Sequence, residues 1–226
     1  MPRSFYIRPA IEVARGLLGK VLAHGGASAR IVETEAYLGP TEGGVIDEAA
    51  HSWRGRTPRT EVIFGPPGHA YVYLIYGIYD CLNVVSEPEG SAGCVLIRAA
   101  EPLTGIEEMR QRRSVDAVEK LASGPGKLTR ALGITLRHNG ADLTRGPLTI
   151  REPEREQPFE IGVSPRIGIS RSVDWPLRFF VAGSRFVSNH SLGSGATLKK
   201  HAETDHFSRV RYPRRRRNGA DEPGCH

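Results

Sequence analysis

The sequence predicts an α+β protein: a single domain with a curved, mainly antiparallel β-sheet core flanked by helices, and one protruding β-hairpin. Three observations carry this. Short runs with strand-like composition recur along the chain and are joined by tight Gly-containing turns, the connection antiparallel neighbours use. Helical periodicity appears only in a few short stretches between them. The 226 residues suffice for one full hydrophobic core and fall short of two.

Taken in order, Pro9 opens a helical stretch in which Ala10, Val13, Ala14, Leu17 and Leu18 share a face and Gly19 ends it. A hairpin follows, from Lys20-Val21-Leu22-Ala23 through the His24-Gly25-Gly26 turn into RIVETEAYLGP at 30–40. Residues 39–68, rich in Gly, Pro and charge, read as an irregular loop with short helical turns. HAYVYLIYGIYDCLNVVS (69–86) is an aromatic hairpin whose arms meet near Tyr76-Gly77, and GCVLIRAAEP (93–102) is a further strand. PLTGIEEMRQRR (102–113) and AVEKLASGPGKLTRALGI (117–134) read as helices, the latter broken at Gly124-Pro125-Gly126. After DLTRGPLTI (142–150), PRIGIS (165–170) and LRFFVAG (177–183) are expected to be short strands. From Leu198 the chain turns polar and carries four consecutive arginines, so the domain is drawn over 1–197 and 198–226 is expected to be a disordered basic tail.

Composition narrows the function classes. The net charge is +6 and arginine outnumbers lysine about five to one, a balance suited to two-pronged phosphate contacts and hence to a nucleic-acid partner. No apolar run approaches the ~18 residues of a membrane helix. The N-terminus lacks the apolar region of a signal peptide, so a cytoplasmic protein is expected, nucleoid-associated in a bacterium. Cys81, Cys94 and Cys225 are odd in number and widely spaced, with neither a disulfide framework nor a metal set; Cys81 and Cys94 are expected as small buried apolar groups. The histidines show no metal-ligand spacing either, so no metal is expected.

Two features stand out. In RIVETEAYLGP, strand alternation puts Ile31, Glu33, Glu35 and Tyr37 on one side. Alone, this reads first as an edge strand whose solvated glutamates discourage pairing with other chains. In the aromatic hairpin, Tyr71, Tyr73 and Ile75 share one face and Val72, Leu74 and Tyr76 the other, with Tyr76 at the tip. A tip tyrosine has little core to pack on, and a planar side chain can replace a base it displaces from a stack.

Together with DEAAHSWRGRTPRT, CVLIRAAEPL, SGPGKLTRALGI, PRIGIS and PLRFFVAGSRFVS, these blocks resemble the 3-methyladenine (alkyladenine) DNA glycosylases, in order from Pro9 to Ser188. The resemblance implies a monofunctional glycosylase, without metal or organic cofactor, that starts base-excision repair on damaged purines in double-stranded DNA, of the 3-methyladenine, hypoxanthine and ethenoadenine type. It implies Glu35 as the carboxylate that activates water, with Arg98 and the main-chain carbonyl of Ile167 holding that water. Tyr37, His51 and Tyr73 match the walls of the base pocket, and Asn83 matches the residue that crowds the exocyclic amine of normal guanine. Tyr76 matches the intercalating residue. The stretch between Tyr37 and His51 is several residues longer than in vertebrate members.

Physical chemistry agrees with this set. An alkylated purine leaves easily, so one base and a positioned water can replace the two carboxylates of an ordinary glycosidase. Aromatic walls favour an electron-poor base through cation–π attraction. Glu33 is then left structural, and Lys127 in SGPGKLT, which lacks the Ser or Thr of a phosphate-binding loop, belongs to a helix start. A monomer is expected. The alternative is a non-catalytic module that binds distorted DNA or RNA.

Overall fold

The computed structural model describes residues 1–39 and 46–188. The basic tail, the boundary at residue 197 and Cys225 lie outside the described residues. Among these residues four α-helices occur: α1 (Arg3–Tyr6), α2 (Ala10–Leu17), α3 (Ile106–Arg113) and α4 (Pro125–Leu132). The strands are β1 (Val21–His24), β2 (Ala27–Tyr37), β3 (Ala70–Ile75), β4 (Tyr79–Ser86), β5 (Gly93–Thr104), β6 (Leu148–Arg151), β7 (Ile161–Ser164) and β8 (Arg178–Val181). All pair antiparallel in one sheet of order β3-β4-β5-β2-β1-β6, with β8 joining β2 and carrying β7. This is the α+β, curved antiparallel architecture expected, with the β3–β4 hairpin at one end. Among the described residues no helix is long and apolar enough to cross a membrane.

The edge-strand reading of β2 is overturned. One side of β2 pairs with β5 over nearly its whole length; the other pairs with β1 over 27–30 and with β8 over 33–35. Glu33 and Glu35 therefore lie inside the sheet, and both are fully buried. The shared face is corrected as well. The register slips so that Ile31 faces Ala100, Glu33 faces Ala99 and Thr34 faces Ile97, which leaves Val32 and Arg98 as bulge residues. Ile31 therefore packs in the main core with Ala29 and Ala36, while Val32 packs beside Ala99 and Phe186. Alternation along a sequence counts no extra residue; a bulge adds one and flips everything before it. Only Glu33, Glu35 and Tyr37 remain together.

The core lies between this sheet and the helices. Ala10, Val13, Ala14 and Leu17 of α2 are buried against it, and the Thr34 hydroxyl donates to the Ala14 carbonyl at 2.9 Å. Helix α4 buries Leu128, Ala131 and Leu132 and rests on the hairpin through Thr129, whose hydroxyl donates to Asp80 O at 2.8 Å. The hairpin alternates as expected: Ala70 and Val72 face the main core, while Tyr71 and Tyr73 face a smaller cluster.

Two other expectations shift. The helix expected from residue 102 begins at Ile106, because Pro102–Thr104 extend β5 and Gly105, at φ +69°, makes the turn. PRIGIS is a loop rather than a strand; the neighbouring strand is β7, just before it. Its backbone is spent elsewhere, since the Ile167 N–H bonds a carboxylate and Gly168 takes φ +76°.

Just beyond β2, Gly39 passes so close to residues 91–92 that a Cβ there would lie 1.8 Å from Ser91 O. Gly39→Ala is expected to cost about 1–3 kcal/mol, the range for overpacking. Denaturant unfolding measures this, and an unchanged midpoint would contradict so close an approach.

Candidate active site

The sheet's interior assembles an ionic cluster around the two carboxylates of β2. Arg98, re-aimed by its bulge in β5, donates Nε to Glu33 at 3.1 Å and Nη1 to Glu35 at 3.3 Å. Glu33 also accepts from Arg178 Nε at 2.6 Å and from the Ser188 hydroxyl and N–H at 2.8 and 2.7 Å. Glu35 accepts the Ile167 N–H at 2.8 Å on Oε1 and the Tyr37 hydroxyl at 3.0 Å on Oε2. Burial pushes the Glu35 carboxyl above its ordinary value, against the pull of Arg98 and the two hydrogen bonds. The backbone of Ile167, expected to present its carbonyl to a water, lies beside Glu35 and gives the carboxylate its N–H.

Beside the cluster stands an aromatic wall. Tyr71 and Tyr73 stack with centroids 5.4 Å apart, and His51 meets Tyr73 edge-on at 4.6 Å. His51 Nδ1 lies 3.0 Å from the Tyr71 hydroxyl. Tyr37 and Tyr73 pack against one small cluster that includes Ile63, Phe64 and Cys94. His51 is in part solvent-exposed; desolvation by its packed neighbours, then the Arg59 charge, hold its pKa down to about 4, so the imidazole is neutral at pH 7. Asn83 is buried opposite Tyr71 in the β3–β4 pair, its amide donating to the Tyr71 carbonyl at 3.2 Å. Cys81 and Cys94 are free and buried, as expected.

Tyr37 is fixed from behind. The Arg166 guanidinium lies 4.6 Å from its ring centroid and is locked to Asp47 through Nη1 at 2.6 Å and Nη2 at 2.8 Å. Arg166 also donates to Ala36 O, and Asp47 accepts the Leu38 N–H, so one buried pair ties the 46–50 segment to the end of β2. Sequence reading missed Asp47, Arg166, Arg178 and Ser188. The available signal was an arginine set among apolar strand residues, as in PLRFF, where a buried charge must have a partner.

The hairpin tip stands out into solvent. Tyr76 is 79% exposed with φ +53°, and the neighbouring Ile78 is 71% exposed. Lys127, in the first turn of α4, is exposed. A cleft of about 390 Å³ elsewhere on the surface, lined by Arg30, Glu101 and Phe186 among others, includes neither Glu35 nor any of the aromatic wall. Among the described residues no group of three or more His, Cys, Asp or Glu side chains is placed to hold a metal ion.

Comparison with known proteins names the scaffold. The family described as methylpurine-DNA glycosylase (MPG) matches residues 4–185. The chain belongs to the methylpurine-DNA glycosylase family. It is accordingly a DNA glycosylase, a hydrolase of N-glycosyl bonds that acts on DNA, as the resemblance in the sequence implied. A relative from Methanoculleus marisnigri named "Putative 3-methyladenine DNA glycosylase" is 50% identical over 194 residues, covering 83% of this chain and 98% of its own. Relatives of the same name from Rhodopseudomonas palustris and Chlorobaculum tepidum are 51% and 50% identical, covering 83% and 87% of this chain and 87% and 94% of theirs.

The Asp47–Arg166 pair yields a stability prediction. Asp47→Ala leaves a buried guanidinium without its counter-ion, a change worth about 3–5 kcal/mol. Equilibrium denaturation should show that loss; a change under about 1 kcal/mol would mean that the pair is dispensable to this DNA glycosylase.

Proposed function

We propose that the protein flips alkylated or deaminated purines, of the 3-methyladenine, hypoxanthine and ethenoadenine type, out of duplex DNA. It then hydrolyses their N-glycosidic bond with a water activated by Glu35. The observation that carries this reading is the buried Glu35 carboxylate, set at the edge of an aromatic wall with its proton affinity raised by burial. A carboxylate offers about four acceptor positions. Arg98, Tyr37 and Ile167 occupy three, which leaves one for a water.

In this mechanism Glu35 takes a proton as the water oxygen bonds to the anomeric carbon and the purine departs. Arg98 and the Ile167 carbonyl hold the water. Tyr37, Tyr73 and the neutral His51 enclose the base, where flat π faces attract a cationic purine. Asn83 crowds the exocyclic amine of a normal guanine. Tyr76 fills the gap in the duplex; its positive φ is backbone strain of the kind found at functional sites, and its exposure leaves it free to insert. The name these relatives share is consistent with 3-methyladenine among the substrates. Lys127 takes no part in the chemistry, so the product is an intact abasic strand in base-excision repair.

Glu35→Gln is expected to lower single-turnover base release by about 10²–10⁴-fold while lesion-DNA binding persists. Duplexes carrying one hypoxanthine or one ethenoadenine test this, with borohydride added in parallel. Wild-type turnover by the variant, or a trapped enzyme–DNA adduct, would overturn the water mechanism. Because the base works deprotonated and its pKa is raised, activity should be lost, as pH falls, at a pH above the ordinary carboxyl value of 4.5.

Tyr76→Ala is expected to weaken extrusion by about 1–3 kcal/mol, the worth of one stacking contact. The penalty should shrink on an unpaired or mismatched lesion, which costs less to flip. An equal penalty on paired and unpaired lesions would make Tyr76 a packing residue.

A further inference from the structure

Glu33 lies two residues before Glu35 and points into the same cluster, yet the reaction just described gives it no role. Four donors converge on it: Arg98 Nε, Arg178 Nε and the Ser188 hydroxyl on Oε1, and the Ser188 N–H on Oε2. Three elements supply them: β5, β8 and the segment that follows β8. A guanidinium and a carboxylate facing each other alone form two parallel hydrogen bonds. Arg98 does not do this with either glutamate. It spends Nε on Glu33 and meets Glu35 with Nη1 alone, at 3.3 Å.

We infer that Glu33 is a positioning residue of the reaction, which divides Arg98 between two carboxylates so that Glu35 receives it through a single contact. This deepens the reading of Glu35 as the base and rests on it. A two-pronged Arg98 would cover a second acceptor position of Glu35 and hold its anion so firmly that it would accept a proton poorly. A base of low proton affinity is a poor catalyst of water attack. With Glu33 holding Nε, Arg98 still orients Glu35 but satisfies only part of it. Arg178, opposite Glu35 in the β2–β8 pair, bonds Glu33 instead and supplies the second cation for two carboxylates.

Among the described residues the groups facing Glu35 are few. They are Glu33 and Tyr37 from its own strand, Arg98 from β5, Arg178 from β8, and the Ile167 N–H with the Arg166–Asp47 pair beyond it. The negative charge of Glu33 also acts upward on the Glu35 carboxyl, a smaller influence than burial, Arg98 and the two hydrogen bonds.

The test is the pH dependence of single-turnover base release from a one-lesion duplex in Glu33→Gln and Arg178→Met, beside wild type and Glu35→Gln. Glu33→Gln keeps the shape of the side chain and removes its charge, leaving Arg98 as counter-ion to Glu35 alone. The acid limb should move to lower pH, with a plateau rate about 3–10-fold lower, as a weaker base demands. Arg178→Met does the reverse: Glu33 then draws more of Arg98, and the acid limb should move to higher pH. If Glu33→Gln fails to fold, Arg178→Met carries the test with the same criterion. Limbs that coincide with wild type, even with lowered melting temperatures, would show Glu33 to be purely structural and overturn the inference. Full activity in Glu35→Gln would instead overturn the parent reading, so the two failures are distinguishable.

Discussion

Placing two carboxylates inside a β-sheet is the constraint on which the rest of the structure depends. Each buried anion would cost several kcal/mol if left alone, so the surrounding elements must supply donors in fixed positions. They do so from widely separated parts of the chain: Arg98 from β5, Ile167 from the loop before β8, Arg178 from β8 itself, and Ser188 from the end of the described chain. The departures from regular structure follow from this need. The bulge turns Arg98 inward, and the 165–170 segment gives up sheet pairing to deliver an N–H.

A second buried pair, Asp47–Arg166, extends the same logic outward. By anchoring the segment that leads to His51 and backing the Tyr37 ring, it transmits the rigidity of the sheet to the aromatic wall. In the proposed reading, walls fixed beforehand need not be ordered when a base arrives, which saves binding energy for distortion of the DNA. The β3–β4 tip is built oppositely. Its bulky side chains stand in solvent on a strained turn, and helix α4 packs just behind the tip, through Thr129 on Asp80 and Gly126 close to Tyr79. In the proposed mechanism the anchored aromatic wall would hold the base and the exposed hairpin tip would act as the wedge that removes it from the stack.

The sequence by itself determined the sheet-and-helix class, the aromatic hairpin and its alternation, and the residues that identify the family, because each of these is written in local spacing and residue type. Tyr71 and Tyr73 share a face for the same reason that Ala10, Val13, Ala14 and Leu17 do: a strand or helix period fixes it. The tertiary structure decided what pairing across the chain controls. Whether Glu33 and Glu35 face solvent depends on β1 and β8 lying beside β2, and no property of residues 30–40 records that. The face of Ile31 depends on a bulge made with β5, and the partners of Glu33 lie up to 155 residues away. Such long-range electrostatics leaves only a faint local trace, an arginine among apolar neighbours, since the charge and its counter-charge are brought together by folding alone.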